Sequence, residues 1–241
     1  LRTLDGDLRA FLSDRYRTVD HWDVANVALP ALTDAGCDVV STEVTDTRLY
    51  LKASTPRLTR DIAKDDPVQA GLMITNSETG HGALNIQPFI NRLVCLNGMV
   101  VPDSGMRKYH IGQKLDIDSF LSHDTRTHMD KALIGQVEDT VQGLLSADGF
   151  DALVDQLRQA AGEEVRASPD KVVERLTNHF NLSDTEKGNV LTHLIKGGDL
   201  SRWGYANAIT ATAGQTEDYH RSTELETAGF QAIELPDSAW A

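Results

Sequence analysis

Val39-Val40-Ser41-Thr42-Glu43-Val44, then Thr45-Asp46-Thr47, then Arg48-Leu49-Tyr50-Leu51-Lys52-Ala53: two short runs rich in β-branched or alternating apolar residues flank three polar ones. That pattern predicts a β-hairpin. It decides the fold because the chain on either side has a different period. Downstream, residues 54–67 read as a polar loop carrying Pro56, Arg57, Arg60 and Lys64. A second strand pair follows, residues 68–76 and 83–89, across Ser77-Glu78-Thr79-Gly80-His81-Gly82. Two glycines bracketing His81 predict a turn with positive φ. Residues 90–101 are apolar at nearly every position and fit a buried strand or a helical turn equally well. Residues 107–112 fit one more strand.

Upstream, Leu8, Phe11 and Leu12 recur at helical spacing, and Val19, Trp22, Val24, Val27, Leu29 and Leu32 continue the pattern to Gly36, with Pro30 expected to kink or restart the helix. From about Thr125 the period is 3.6 again. Met129, Leu133, Val137, Val141, Leu144 and Leu145 form an apolar stripe that Asp148-Gly149 is expected to stop. Four more helices are predicted over residues 150–161, 168–180, 183–195 and 200–213. Ser168-Pro169-Asp170 and Ser183-Asp184-Thr185-Glu186 supply N-cap hydroxyls with Pro or acidic residues in the first turn, and Gly197-Gly198 a stop. The expected class is α+β: a central antiparallel β-sheet with N-terminal helices and an all-helical C-terminal region. It divides into residues 1–124, helix plus sheet core, and residues 125–241, an acidic helical region packed on that core.

At 241 residues, 40% hydrophobic and 24% charged, the chain is long enough for a real core and is neither disordered nor fibrous in composition. No apolar run approaches a membrane span: the longest, residues 93–101, is broken by Asn97 and Gly98. Two cysteines, Cys37 and Cys95, make no disulfide framework, and no signal peptide is read at Leu1, before which further residues are expected. The expected location is the cytoplasm of a bacterial or archaeal cell.

Charge is uneven. The total of 23 basic against 36 acidic residues, a net of −13, argues against nucleic acid as a partner of the whole surface. Residues 1–114 hold 13 basic and 14 acidic residues, a net of −1, and residues 115–241 hold 10 and 22, a net of −12. Within the first part, residues 48–114 hold nine basic and five acidic residues, a net of +4. The eight lysines among the 23 basic residues, with many aspartates, also fit a salt-tolerant host.

There is no phosphate-binding loop, dinucleotide fingerprint, nucleophile elbow or Cys-x-x-Cys pair. His81, Cys95, His110, His123 and His128 invite a metal, but the last two are five apart, about 140° around a helix. No metal, cofactor or catalytic residue is predicted, and Cys95, between Val94 and Leu96, reads as a buried, inert thiol. Arg57, Arg60, Lys64, Arg92, Arg107, Lys108 and His110, with Lys114, instead form a candidate phosphate-binding strip. Tyr109, Phe89 and Tyr50 interleave as stacking platforms. Asn76, Asn97 and Asn207 read as turn and capping residues in distinctive strings.

Those strings carry a resemblance. Tyr16-Arg17, Ile74-Thr75-Asn76-Ser77-Glu78-Thr79-Gly80, Arg92-Leu93-Val94-Cys95-Leu96-Asn97-Gly98-Met99, His110-Ile111-Gly112, Asn207-Ala208-Ile209-Thr210 and Glu224-Leu225-Glu226 together resemble a phage- and plasmid-associated family catalogued as a domain of unknown function. The order helix, antiparallel sheet, helices is also similar to the core of single-strand annealing proteins of the RecT/Redβ type. The resemblance implies a non-enzymatic protein that binds and anneals single-stranded DNA in recombination or replication of a mobile element. It further implies a homo-oligomer, with a protein partner on the acidic helical half and no membrane. The rivals are a virion or assembly protein and a metal-dependent nuclease or hydrolase using His81, His110, Asp116 or Asp118.

Overall fold

The computed structural model describes residues 1–4, 6–12, 19–95, 97–102, 104–108 and 123–241. The strands are β1 (Arg2–Leu4), β2 (Asp7–Ala10), β3 (Asp38–Val44), β4 (Leu49–Ala63), β5 (Asp66–Asn76), β6 (Leu84–Arg92), β7 (Asn97–Val100) and β8 (Met106–Lys108). The helices are α1 (His21–Asp34), α2 (His123–Leu144), α3 (Ala147–Gly162), α4 (Pro169–Phe180), α5 (Asp184–Gly197), α6 (Arg202–Ala213) and α7 (Tyr219–Ile233). The class is α+β as expected, with an antiparallel sheet in the order β3-β4-β5-β6-β7 and helices concentrated in the C-terminal half. β7 pairs the end of β6, Phe89 to Arg92, and β8 its beginning, Leu84 to Ile86.

The chain resolves into two compact units that interleave in sequence. Unit one takes Leu1–Thr55, Gly71–Pro88 and Ser104–Ser146; unit two takes Pro56–Ala70, Phe89–Asp103 and Ala147–Ala241. β4, β5 and β6 therefore each contribute to both.

Unit one is built on the hairpin β3–β4, in register from Val44↔Leu49 to Thr42↔Leu51, with a bulge between Val39 and Ser41. Period-2 alternation sends Leu49, Leu51 and Ala53 to one face, where they join Leu72 and Ile74 of β5 and Leu84 and Ile86 of β6. α1 covers that face with Val24, Ala28 and Leu32, spaced i, i+4, i+8, and α2 adds Val137 and Val141. The alternate residues Tyr50, Lys52 and Ser54 are also buried, so β4 is enclosed on both faces from Leu49 to Thr55.

Unit two is a helical core of Val172, Val173, Leu176, Val190, Leu194, Tyr205, Ile209 and Leu225. α6 and α7 pack on each other and both on β7, with α3 against α6. Close approaches here need glycine: a Cβ at Gly229 of α7 would overlap the Thr210 side chain of α6, and one at Gly98 of β7 would overlap the Phe89 ring.

Several expectations are corrected. Residues 54–67 are not a loop: β4 runs to Ala63 and β5 starts at Asp66, with Lys64-Asp65 as the turn and Asp65 at φ 61°. Length misled here, because a 15-residue strand is unusual and Pro56 normally marks an edge or a break. The N-terminus begins with the β1–β2 hairpin rather than a helix: Gly6, at φ 92°, turns the chain back, and Leu8 and Phe11 are exposed. α1 runs through Pro30, which withholds a single bond from the Asn26 carbonyl. Of residues 90–101, Ile90 to Arg92 end β6, residues 93–95 form a turn and Asn97–Val100 form β7. Asp148-Gly149 stops nothing: α2 ends at Leu144, and Asp148 sits in the first turn of α3, where a carboxylate favours the helix dipole. α7 was not predicted.

Candidate functional site

Three of the family-like strings, residues 74–80, 92–99 and 207–210, build two polar clusters, one in each unit. In unit one, Asn76 at the end of β5 donates from Nδ2 to the Val19 carbonyl at 2.9 Å and lies 3.0 Å from His21 Nδ1. Glu78, two residues on, accepts the backbone N–H of His21 at 2.6 Å. α1 has no cap from its own N-cap residue, Asp20, whose side chain pairs instead with Arg2. Glu78 thus supplies from the β5–β6 turn the carboxylate that the helix N-terminus attracts. Burial alone would raise the Glu78 carboxyl. The His21 N–H and the charges of His21 and Arg2 outweigh it and hold the carboxyl below the usual range. Burial lowers His21 against the opposing pull of Glu78 and Asp20. The rest of the turn is self-braced: Ser77 Oγ accepts the His81 N–H at 3.0 Å, Thr79 Oγ1 lies 2.9 Å from His81 Nδ1, and Arg48 donates to the His81 carbonyl. Gly80 takes φ 84°, whereas Gly82 keeps a negative φ. Glu78→Gln is expected to cost about 1 kcal/mol, read in urea unfolding, and to speed amide exchange in the first turn of α1.

In unit two, Arg92 is engaged by Asp66, Nε to Oδ1 at 2.6 Å and Nη2 to Oδ2 at 3.0 Å. The same carboxylate accepts the Trp203 indole N–H at 2.8 Å, and the guanidinium lies 5.7 Å from the Trp203 ring centroid. Asp66 and Trp203 are buried, at 7% and 1% exposure. Beside them, Asn97 donates to Asn207 Oδ1 at 3.4 Å and to Thr210 Oγ1, and Asn207 donates to the Trp203 carbonyl at 2.8 Å. The Arg92, Asn97 and Asn207 strings therefore lock β6 and β7 onto α6. Neither Asp66 nor Trp203 stood out in the sequence, although Trp203 and Asn207 are one helical turn apart.

The candidate phosphate strip draws its residues from both units. Arg57, Arg60, Lys64 and Arg92 fall in unit two, and Arg107 and Lys108, on β8, fall in unit one. Arg92 is half-buried on Asp66, and Arg60 pairs with Asp151 at 2.9 Å. Arg57 on β4 and Lys64 in the turn are exposed. The side chains of Arg107 and Lys108 lie outside the described residues, as do Tyr109, His110 and Lys114. So do Tyr16 and Arg17, Asp116 and Asp118, and the side chains of His123 and His128. Phe89 and Tyr50 are not stacking platforms: both are core, at 2% and 1% exposure. Cys95 is exposed rather than buried, because it occupies the β6–β7 turn and not a strand interior; Arg92 Nη1 lies 3.4 Å from its Sγ. Among the described residues no three His, Cys, Asp or Glu side chains group so as to hold a metal ion. Among them, too, no helix is long and apolar enough to cross a membrane.

The chain is thus an α+β protein whose distinctive strings brace two interleaved units. It belongs to the family described as Domain of unknown function (DUF932), whose model matches residues 10–240. Comparison with curated proteins and with solved structures gives no match.

Proposed function

We propose that the protein is a non-enzymatic single-stranded DNA-binding and annealing protein of a mobile element, acting in recombination or replication. The observation that carries the reading is the placement of Arg57 and Lys64, exposed on one long hairpin, within a segment of net charge +4 in a chain of −13. Exposed cations on a hairpin offer contacts to phosphates, and such contacts hold a strand without reading its bases. Arg60 joins them by exchanging Asp151 for a phosphate oxygen. Arg92 takes no part, since it neutralises Asp66.

The test is fluorescence anisotropy of a labelled oligothymidylate titrated with the full chain from 50 to 200 mM NaCl. Three phosphate contacts on a single strand give a log–log salt slope of about −2, so affinity falls about 15-fold over that range. Arg57→Ala with Lys64→Ala leaves one contact and is expected to flatten the slope to about −0.7. A chain with no affinity for the oligonucleotide at 50 mM salt is not a DNA-binding protein of this kind. Metal-dependent shortening of the probe would show a nuclease instead.

A further inference from the structure

We infer that β3 is a self-association edge, through which two copies of this chain join their sheets antiparallel about a two-fold axis at Thr42. The inference is independent of DNA binding. β3 ends the strand order and pairs only with β4 among the described residues. It is exposed along nearly its whole length, with Val39, Val40 and Val44 at 52%, 43% and 60%. Soluble proteins usually blunt such an edge with Lys, Pro, a bulge or a covering element. Here the bulge between Val39 and Ser41 guards one end, Asp38–Val44 contains neither Lys nor Pro, and Glu43 is the one charge from Val40 to Val44.

Backbone polarity fixes which groups are offered. Thr45 N–H donates to the Arg48 carbonyl at 2.8 Å. Alternation from that bonded pair makes Glu43–Tyr50 bonded too, and turns the N–H and C=O of Thr42 and Val44 away from β4. A second copy of β3 satisfies them. A two-fold axis perpendicular to the sheet keeps side chains on their own faces, so it must pass through a self-paired residue. With Thr42 on the axis, Thr42 meets Thr42, Val40 meets Val44 twice, and Glu43 meets Ser41. Cross-strand Val–Val and Thr–Thr pairs are favourable, and from Val40 to Val44 no carboxylate faces another; the next pair out, Asp38 with Asp46, lies beyond the bulge on one strand and in the turn on the other. Centring on Ser41 instead sets Val39 against Glu43 and Val44 against Asp38. Thr42 and Val44 are the register partners of Leu51 and Leu49, so the joined sheets extend the face that carries α1.

Two chains of −13 repel one another, and salt screens that repulsion. The dimer therefore tightens from 0.1 to 1 M NaCl, the opposite of the salt response of DNA binding, so failure of one reading is distinguishable from failure of the other. Sedimentation velocity of the full chain over 1–200 μM at both salt concentrations is the measurement. Thr42→Pro removes an N–H that points out of the β3–β4 ladder, a position where Pro is tolerated. It deletes two intermolecular bonds per dimer, for an expected loss of at least about tenfold in dimer affinity. Thr42→Cys guards against a folding defect: on the axis the two Cα atoms lie about 5.5 Å apart, within disulfide range. Mild oxidation is expected to join the two introduced thiols in a symmetric intermolecular disulfide, located by peptide mapping. A monomer at both salt concentrations overturns the inference, whether the edge is then covered by flanking sequence or by another protein's strand. A dimer that ignores Thr42→Pro, and in which Thr42→Cys yields no such cross-link, overturns it equally.

Discussion

Asp66→Ala is expected to destabilise the protein by about 3–5 kcal/mol, seen as a lower urea midpoint. Asp66 is 7% exposed and saturated: two guanidinium N–H groups and the Trp203 indole N–H converge on its two oxygens. Deleting the carboxylate leaves the Arg92 charge, 18% exposed at its side chain, without a counter-ion and the indole donor without an acceptor. Both penalties fall in one place, which sets this substitution apart from the loss of a surface ion pair. Asp66→Asn keeps the shape and an acceptor for Trp203 but not the charge, and is expected to recover about half of the loss. A midpoint shift equivalent to less than about 1 kcal/mol for Asp66→Ala shows that the cluster does not hold β5 and β6 to α6.

The second large effect is acid sensitivity at Glu186. Ser183 and Glu186 form a capping box at the start of α5, with Ser183 N–H to Oε2 at 2.7 Å, and Arg221 of α7 adds Nε to Oε1 at 2.8 Å and Nη2 to Oε2 at 3.0 Å. Arg221 is the largest influence; it outweighs burial, the Ser183 bonds help, and the carboxyl is held at about 2. A carboxyl depressed in the folded state gives stability that is fully present above its unfolded pKa, about 4.3, and is lost as pH falls through the folded value. Stability is therefore expected to fall by about 2–3 kcal/mol between pH 5 and pH 2 on account of this group. Glu186→Gln is expected to be less stable at pH 7 and to lose correspondingly less on acidification. Thermal melts of both proteins across that range are the check: parallel pH profiles would remove Glu186 from the account.

Local rules were legible where a residue's consequence is local. Ser183 and Glu186 cap α5, Gly198 ends α5 at φ 66°, and Thr45-Asp46-Thr47 joins β3 to β4, all as their chemistry predicts; Ser168 stands at the N-cap of α4, but its hydroxyl makes no capping bond. Long-range pairing was not legible. Arg92 reads as a surface cation until Asp66 arrives 26 residues away and Trp203 more than a hundred, and spacing along the chain reveals neither partner. Tyr50 and Phe89 failed as stacking platforms for the same reason. Aromatic spacing in a strand says which face a ring takes, but not whether that face is covered. Residues 54–67 misled through composition: two arginines, a lysine and two prolines resemble a loop, yet Ile62 and Asp66 are buried in strands at 6% and 7% exposure. α7 was missed because its large buried residues, Leu225, Phe230 and Ile233, are interspersed with Ala228, Gly229 and Ala232, small residues that close packing requires and hydropathy undervalues.

The interleaving of the two units bears on how this protein is inherited and dissected. A cassette of residues 147–241 would carry every helix of unit two yet lack Asp66, Arg92 and Asn97, the strand residues that engage Trp203 and Asn207. A cassette of residues 1–146 would keep those strands without the helices they serve. Neither half is a portable module, so gene fusion or shuffling that respects foldability has to move the chain nearly whole, and the family match spans residues 10–240 as one piece.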